Sequence, residues 1–586
     1  MKKTMKKYNS PFAKKFFLLP FILLSMLSSC SDDILNEKPL DFLAPENAYT
    51  TLPGIQQGIA GLHVTVRAYF YNMNAASGGQ QEIFCMWNAG QGTDMVYNGE
   101  NPAVQTSFFT DYKLSLSPTS SMFAVWDNAY KLVARANLLA ESIKAAEPSI
   151  WKSEAQKNAY LAEVLFFRAY AYRVLVNLYG DVPLISEALH APKSDYLRAP
   201  KEEVYKLMED DLNFGVANLP KRGKEEGPGR ITQAAALHML TEVYICDGKF
   251  QLAVDAASQV IDGVEYKLMT SRFGARNDIF GSGDVFLDLF YYGNQNLAEN
   301  TENIWSIQFE PNTIGGGTGT TYQGFGGERA WGPQYWNTAL KTPDGKPAYV
   351  LTLQAGGTLA NISDSLGRGA AWARPTNYSA YTIWQSDWNN DIRNAKHNIK
   401  RNFYFDSPTS TYHKKKIDFT NAFYKRELSV DTNKIIFPYL MKHVSPYKWF
   451  TDLDLRGAGF NHKDVYAIRV AETILLRAEA YVRLGKTTEA AADINLIRNR
   501  ANAKPIVAAQ ATLDYICDER ARELWGEEQR RISLHRMGKL VENTRKYNSN
   551  PYYPGLNIQD YNDLFPIPQK AIDNNIGAVI TQNPGY

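Results

Sequence analysis

The stretch YLAEVLFFRAYAYRVLVNLYGDVPL, residues 160–184, decides the fold class. Val164, Phe167, Ala171, Val174 and Leu178 recur at three- and four-residue steps, the spacing of one helical face. Leu161, Leu165, Tyr172, Leu175 and Tyr179 form a second stripe beside it. A helix apolar on two faces is sandwiched between neighbours. Gly180 ends it and Pro183 prevents its resumption. Downstream, RITQAAALHMLTEVYICDGKFQLAVDAASQVI (230–261) reads as a helical hairpin. Thr232 caps the first helix, Gly248 turns the chain, and Phe250, Ala253 and Ala257 begin the second helix. VAETILLRAEAYVRLGKTTEAAADINLIRNRA (470–501) repeats the plan, with a turn at Leu484-Gly485 and a second helix opening at Ala490 and Ala491.

The small residues Ala235, Ala236, Ala253 and Ala257 allow close helix contact. The spacing resembles a tetratricopeptide unit of about 34 residues, and such hairpins stack into solenoids. The expected class is therefore mainly α, a tetratricopeptide-like solenoid. Helical hairpins are expected over 45–262 and 463–545, with a loop-rich middle over 263–462 and an extended C-terminal segment over 546–586. In the middle, NIWSIQFE (303–310) alternates like a strand, and TIGGGTGTTYQGFGG (313–327) reads as an exposed loop.

The N-terminus carries Lys2, Lys3, Lys6, Lys7, Lys14 and Lys15, then an apolar run from Phe16 to Leu27. That run is too short for a bilayer span and fits the core of a signal peptide. Leu27, Ser28 and Ser29 precede Cys30, which resembles a bacterial lipobox: residues 1–29 are read as signal, Cys30 as the lipidated first residue, and 30–44 as a tether. Removing the six lysines leaves 57 basic against 61 acidic residues, with no basic footprint for nucleic acid. Cys85, Cys246 and Cys517 are too few and too scattered for a disulfide framework or a zinc site.

Enzymatic motifs fail on spacing. Gly485-Lys486-Thr487 imitates the end of a phosphate loop, but the required first glycine falls at Ala480, inside a helix. The eight histidines show no metal-ligand spacing, and no G-x-S-x-G elbow occurs. ERARELWGEEQRRISLHR (519–536) concentrates Glu519, Glu523, Glu527 and Glu528 among arginines. Paired carboxylates serve glycosidases, but Glu519 to Arg522 and Glu527 to Arg531 are helical neighbours at three and four residues, which favours a structural ion-pair network. No catalytic residue, metal or cofactor is expected.

Taken together, FFRAYAYRVLVNLYGDVPL, the alanine-rich hairpin, RVAETILLRAEAYVRLG, ERARELWGEEQRRISLHRMGKL and the ending LFPIPQKAIDNNIGAVITQNPGY resemble the SusD/RagB family, in the right order over nearly the whole chain. The resemblance implies a single domain over 45–586 and a surface lipoprotein of Bacteroidetes. It implies a protein that captures oligosaccharide, or in some members peptide, for a SusC-like TonB-dependent outer-membrane transporter. Ser31, Asp32 and Asp33 look like the acidic tag that sends such lipoproteins to the cell surface. A glycosidase is the alternative of another class.

A sugar offers an apolar C–H face and a hydroxyl rim, so a binder needs flat aromatics beside amides and charges. FCMWNAGQGTDMVYNGEN (84–101), placed where the family has a binding loop, offers Trp87, Asn88, Asp94, Tyr97 and Asn98. ERAWGPQYWN (328–337) offers Arg329, Trp331, Tyr335, Trp336 and Asn337, and LFYYGNQN (289–296) offers Tyr291, Tyr292 and Asn294. YTIWQSDWNND (381–391) adds Trp384 and Trp388. Trp87 and Trp331 are expected to form an exposed platform, with Asn88, Asp94 and Arg329 reaching hydroxyls. Trp126, Trp151, Trp305 and Trp525 are expected in the core.

Overall fold

The computed structural model describes residues 48–71, 80–107, 109–120, 124–275, 283–310, 313, 324–349, 352–355, 358–361, 366–420, 432–444 and 459–586. The signal segment, Cys30 and the whole of the tether lie outside these residues, as does most of the 313–327 glycine stretch. The end of that stretch, Gly324 to Gly327, is buried rather than exposed, with Gly324 against the backbone of Asn461.

The first helical series is α1 (Leu52–Val66), α2 (Gln80–Ala89), α3 (Ala124–Ala145), α4 (Glu154–Tyr179), α5 (Lys201–Asn218), α6 (Gln233–Cys246) and α7 (Phe250–Ile261). The second is α8 (Val470–Arg483), α9 (Thr487–Arg500), α10 (Leu513–Glu523), α11 (Arg530–Met537) and α12 (Leu540–Tyr547). From α3 to α7 each helix packs on the next, α7 packs on α8, and α8 on α9. The two series are thus one stack of tetratricopeptide type, with residues 262–469 inserted between consecutive helices. Gly248 and Gly485 turn their hairpins at φ +73°, a conformation that costs glycine no β-carbon clash. Thr232 occupies its N-cap position, but its hydroxyl makes no capping bond and lies 3.4 Å from the Tyr266 hydroxyl. Among the described residues no helix is long and apolar enough to cross a membrane.

Helix α4 is buried continuously from Tyr160 to Tyr179, beyond the two stripes of its sequence. Its charged residues tolerate burial because each meets an opposite charge from a neighbouring element. Glu163 accepts from Arg230 at 2.6 Å and lies 2.8 Å from His63; Arg168 donates to both oxygens of Asp211; Arg173 donates to Glu242 at 2.6 Å. Gly180 then stops the helix at φ +72°.

In the insertion, β2 (Asn303–Ile307) pairs antiparallel with β4 (Val465–Arg469), which leads directly into α8. Trp305 on β2 sets its ring edge-on against Phe166, Phe167 and Tyr170, docking the strand pair on α4. Trp126, Trp151 and Trp525 are likewise buried. The C-terminal segment, expected to be extended, instead carries short helical turns at Pro554–Asn557, Asp560–Asp563 and Gln569–Asp573. Asn583 fastens it to the end of α4 by donating to the Tyr179 and Phe565 carbonyls.

These buried charges predict an acid-labile fold. Burial alone would raise the Glu163 and Glu242 carboxyls, but His63 and Arg230 hold the first, and Arg173 and Arg536 the second, at about 2 instead of 4.5. Groups depressed in the folded state stabilise it above their unfolded value, and that contribution fades as pH falls from 4.5 towards 2. Burial lowers His238 from 6.5 to about 4, so folding loses ground through that window too. The melting temperature should therefore fall as pH drops from about 4.5 towards 2, as scanning calorimetry would show, whereas between about 6.5 and 4 the Asp464 carboxyl, raised by burial to about 6, offsets His238. A melting temperature that stays level from about pH 4.5 to about 2 would contradict the pairing of these carboxylates.

Candidate functional site

Residues 366–375 form a strap that joins the loops singled out by sequence. At one end, β1 (Val96–Tyr97) pairs antiparallel with β3 (Arg374–Pro375). Further back, the amides of Ala370, Ala371 and Ala373 donate to the carbonyls of Arg329, Gly332 and Ala330 at 2.7, 2.9 and 2.8 Å. This fixes the short helix Gly327–Trp331 to the strap. Gly332 and Gly369 make that approach possible: a β-carbon on Gly369 would lie 1.9 Å from the Gly332 oxygen.

Guanidinium–aromatic pairs line the assembly. Arg329 lies 4.7 Å from the Trp372 ring centroid, Arg368 lies 4.7 Å from that of Trp336, and Arg374 lies 5.6 Å from that of Tyr97. Each such contact contributes about 0.5–2 kcal/mol, more when it is desolvated. Trp336 Nε1 donates to the Gly369 carbonyl at 2.7 Å, and Trp372 Nε1 to Glu100 at 2.8 Å. Trp336, Asn337, Arg329, Arg368, Arg374 and Glu100 are half-buried, so indole, amide, guanidinium and carboxylate groups all reach the surface of one loop cluster. Such a set can cover an apolar sugar face and bond hydroxyls around it.

The expected platform is corrected at its centre. Trp87 and Trp331 are each 1% exposed and present no face to solvent. Trp87 packs on Phe70 and Tyr170, and Trp331 lies edge-on to Trp525 and stacked on His443. Asn88 is buried and donates to the Phe70 carbonyl at 2.7 Å; Asp94 is buried and accepts from Arg530 at 2.6 Å. Tyr97, Tyr335 and Asn98 are buried as well. The polar residues around Trp87 are internal because distant partners satisfy them: Arg530 stands 436 positions after Asp94. Tyr291 and Tyr292, half-buried, follow the short helix Val285–Leu289 in a turn closed by the Asn294 amide. Of the expected set, Arg329 and Trp336 come together at the surface. Trp372, Arg368 and Arg374 are additions, and nothing in their sequence marked them, since the strap reads as an unremarkable loop.

Beneath this cluster lies the ion-pair network of 519–536. Glu519 pairs with Arg393, Arg498 and Arg522; Glu523 with Arg393, Arg469 and Arg500; Glu528 with Arg520 and Arg530. Burial would raise the Glu519 carboxyl, but Arg393, Arg522 and Arg498 hold it at about 2. The same balance, with Arg500, Arg469 and Arg393, keeps Glu523 well below the carboxylate range. Both carboxylates are enclosed and saturated with donors, so neither is poised as a general acid. Arg530 ties this network to Asp94, and hence to the loop ending in β1.

Comparison with known proteins places the chain. Residues 292–586 match the model of the SusD family, and residues 74–245 match one described as "Starch-binding associating with outer membrane". SusD-like protein P25 of Formosa agariphila is 25% identical over 584 residues, covering 95% of each chain. A laminarin-binding SusD-like protein of known structure is 22% identical with a TM-score of 0.64, covering 92% of this chain and all of its own. Surface glycan-binding protein A of Bacteroides thetaiotaomicron, solved with laminarihexaose, is 20% identical with a TM-score of 0.62, over 91% of this chain and all of its own.

Proposed function

The chain belongs to the SusD family, and on that premise we propose that it is a non-catalytic surface lipoprotein that captures oligosaccharide and hands it to a SusC-like TonB-dependent transporter. The observation that carries the reading is the half-buried Trp336 backed by Arg368, with Arg329 and Asn337 beside it on one loop cluster. Relatives of the same fold solved with, or named for, β-glucans support a glycan over a peptide. The saturated carboxylates of 519–536 support binding without hydrolysis.

Changing Trp336 to alanine should cost about 1–3 kcal/mol of glycan affinity, the scale of an interface anchor. Titration calorimetry against soluble polysaccharides would measure it, and undiminished binding would move the site elsewhere. Arg368→Ala should act in the same direction, by removing the charge behind the indole.

Anchoring follows from Cys30, which would carry acyl chains whose buried methylenes each contribute about 0.8 kcal/mol. Cys30→Ala should therefore shift the protein from the membrane fraction to the soluble one. A wild-type protein that is already soluble would refute the anchor. A lipid-anchored binder cannot itself move cargo across a bilayer, so pull-down in mild detergent should also recover an outer-membrane barrel.

A further inference from the structure

We infer that Tyr381 and Trp388 form a second saccharide-stacking platform, distinct from the Trp336–Arg368 cluster, that takes the apolar faces of neighbouring pyranose rings in a neutral polysaccharide. The inference rests on the glycan reading above. The two residues are 41% and 42% exposed, and their ring planes lie 10° from parallel with centroids 6.4 Å apart. At that separation near-parallel rings form an offset pair, which overlaps little and leaves much of each ring face uncovered by the other. Arg401 joins them, its guanidinium carbon lying 4.7 Å from the Trp388 centroid and 5.7 Å from that of Tyr381. A guanidinium sandwiched between the rings would sit about half their separation from each. It therefore lies to one side, and ring surface remains open to solvent.

Arg401 is itself held in place. It donates to the Ala380 carbonyl at 2.7 Å and to Asn394 Oδ1 at 2.6 Å, and makes no ion pair among the described residues. Asn394 in turn donates to the Trp388 carbonyl at 2.7 Å. Arg401 and the Trp388 main chain are thus held before any ligand arrives, which lowers the ordering cost of binding. Single exposed aromatics are ordinary on protein surfaces, whereas two aligned rings on one guanidinium are not a random scatter. The stretch does have a way to bury an indole: Trp384, four residues before Trp388, is enclosed and donates to the Ser379 carbonyl at 2.8 Å. Asn377, Gln385, Asn389 and Asn390, all exposed, flank the rings in the chain and supply neutral amides for sugar hydroxyls. Neutral amides, with no exposed carboxylate or ammonium between residues 381 and 390, fit an uncharged ligand.

The test uses the detergent-solubilised full chain labelled with 5-fluorotryptophan, with the Trp388 resonance assigned by its loss in Trp388→Phe. The probes are soluble laminarin, starch, mannan and xylan. The polymer that the wild type binds should shift the Trp388 resonance, also in a chain carrying Trp336→Ala and Arg368→Ala. Tyr381→Ala with Trp388→Ala should weaken binding of that polymer about tenfold at unchanged melting temperature. A Trp388 resonance that stays fixed while the wild type binds polymer would overturn the platform and leave the glycan reading intact. A wild type that binds none of the probes would overturn both.

Discussion

Glu523→Ala should destabilise the fold by about 3–5 kcal/mol, the cost of removing one partner from a buried ion-pair network. Glu523 is fully enclosed and faces three arginines from three different elements: Arg393 in the insertion, Arg469 at the end of β4 and Arg500 at the end of α9. Without it, all three guanidinium groups keep their burial and lose part of their compensation. Arg469 and Arg500 would still share Glu302, at 2.6 and 2.7 Å, which keeps the loss short of complete unfolding. An exposed pair such as Lys206 with Asp210 serves as the control, because surface pairs contribute about 0–1 kcal/mol. Denaturant unfolding of the two variants would compare them. A Glu523→Ala cost no larger than that of Asp210→Ala would mean that the network does not bind the insertion to the solenoid.

Trp331→Ala should cost a similar amount, about 3–5 kcal/mol, because a fully buried large aromatic leaves a cavity that its surroundings only partly fill. Its neighbours are Trp525 on the carboxylate-rich segment and His443, which burial and the nearby Lys463 and Lys442 hold neutral, far below its usual range. The contrast with Trp336, five positions on, is the informative part. Trp336→Ala should act mainly on affinity and Trp331→Ala mainly on the melting temperature. If Trp331→Ala melts like the wild type and loses glycan, the indole is a ligand contact and this packing is not the one in solution.

The solenoid was readable because its signals are local. The two stripes of α4 and the glycines at positions 248 and 485 need only a few neighbouring residues to be interpreted. The ion-pair character of 519–536 was readable for the same reason, since helical spacing already sets Glu519 against Arg522. The joint between α7 and α8 was not, because it is made by helices whose sequences lie some two hundred positions apart. The aromatic platform was misplaced for a related reason. A tryptophan among asparagines and an aspartate reads as a surface loop, yet Asp94 and Asn88 are internal and satisfied by Arg530 and by a backbone carbonyl. Exposure was decided by partners that the local sequence cannot name. Trp384 and Trp388 make the same point within a single turn, one enclosed and the other open.

The most direct measurement is frontal affinity chromatography of oligosaccharides over the immobilised full chain, with mass analysis of what emerges. Capture without chemistry predicts that at least one oligosaccharide, with β-glucans the first to try, is retarded and leaves the column at its original mass. Glycans that all pass unretarded, or a retained glycan that emerges shortened, would contradict the account.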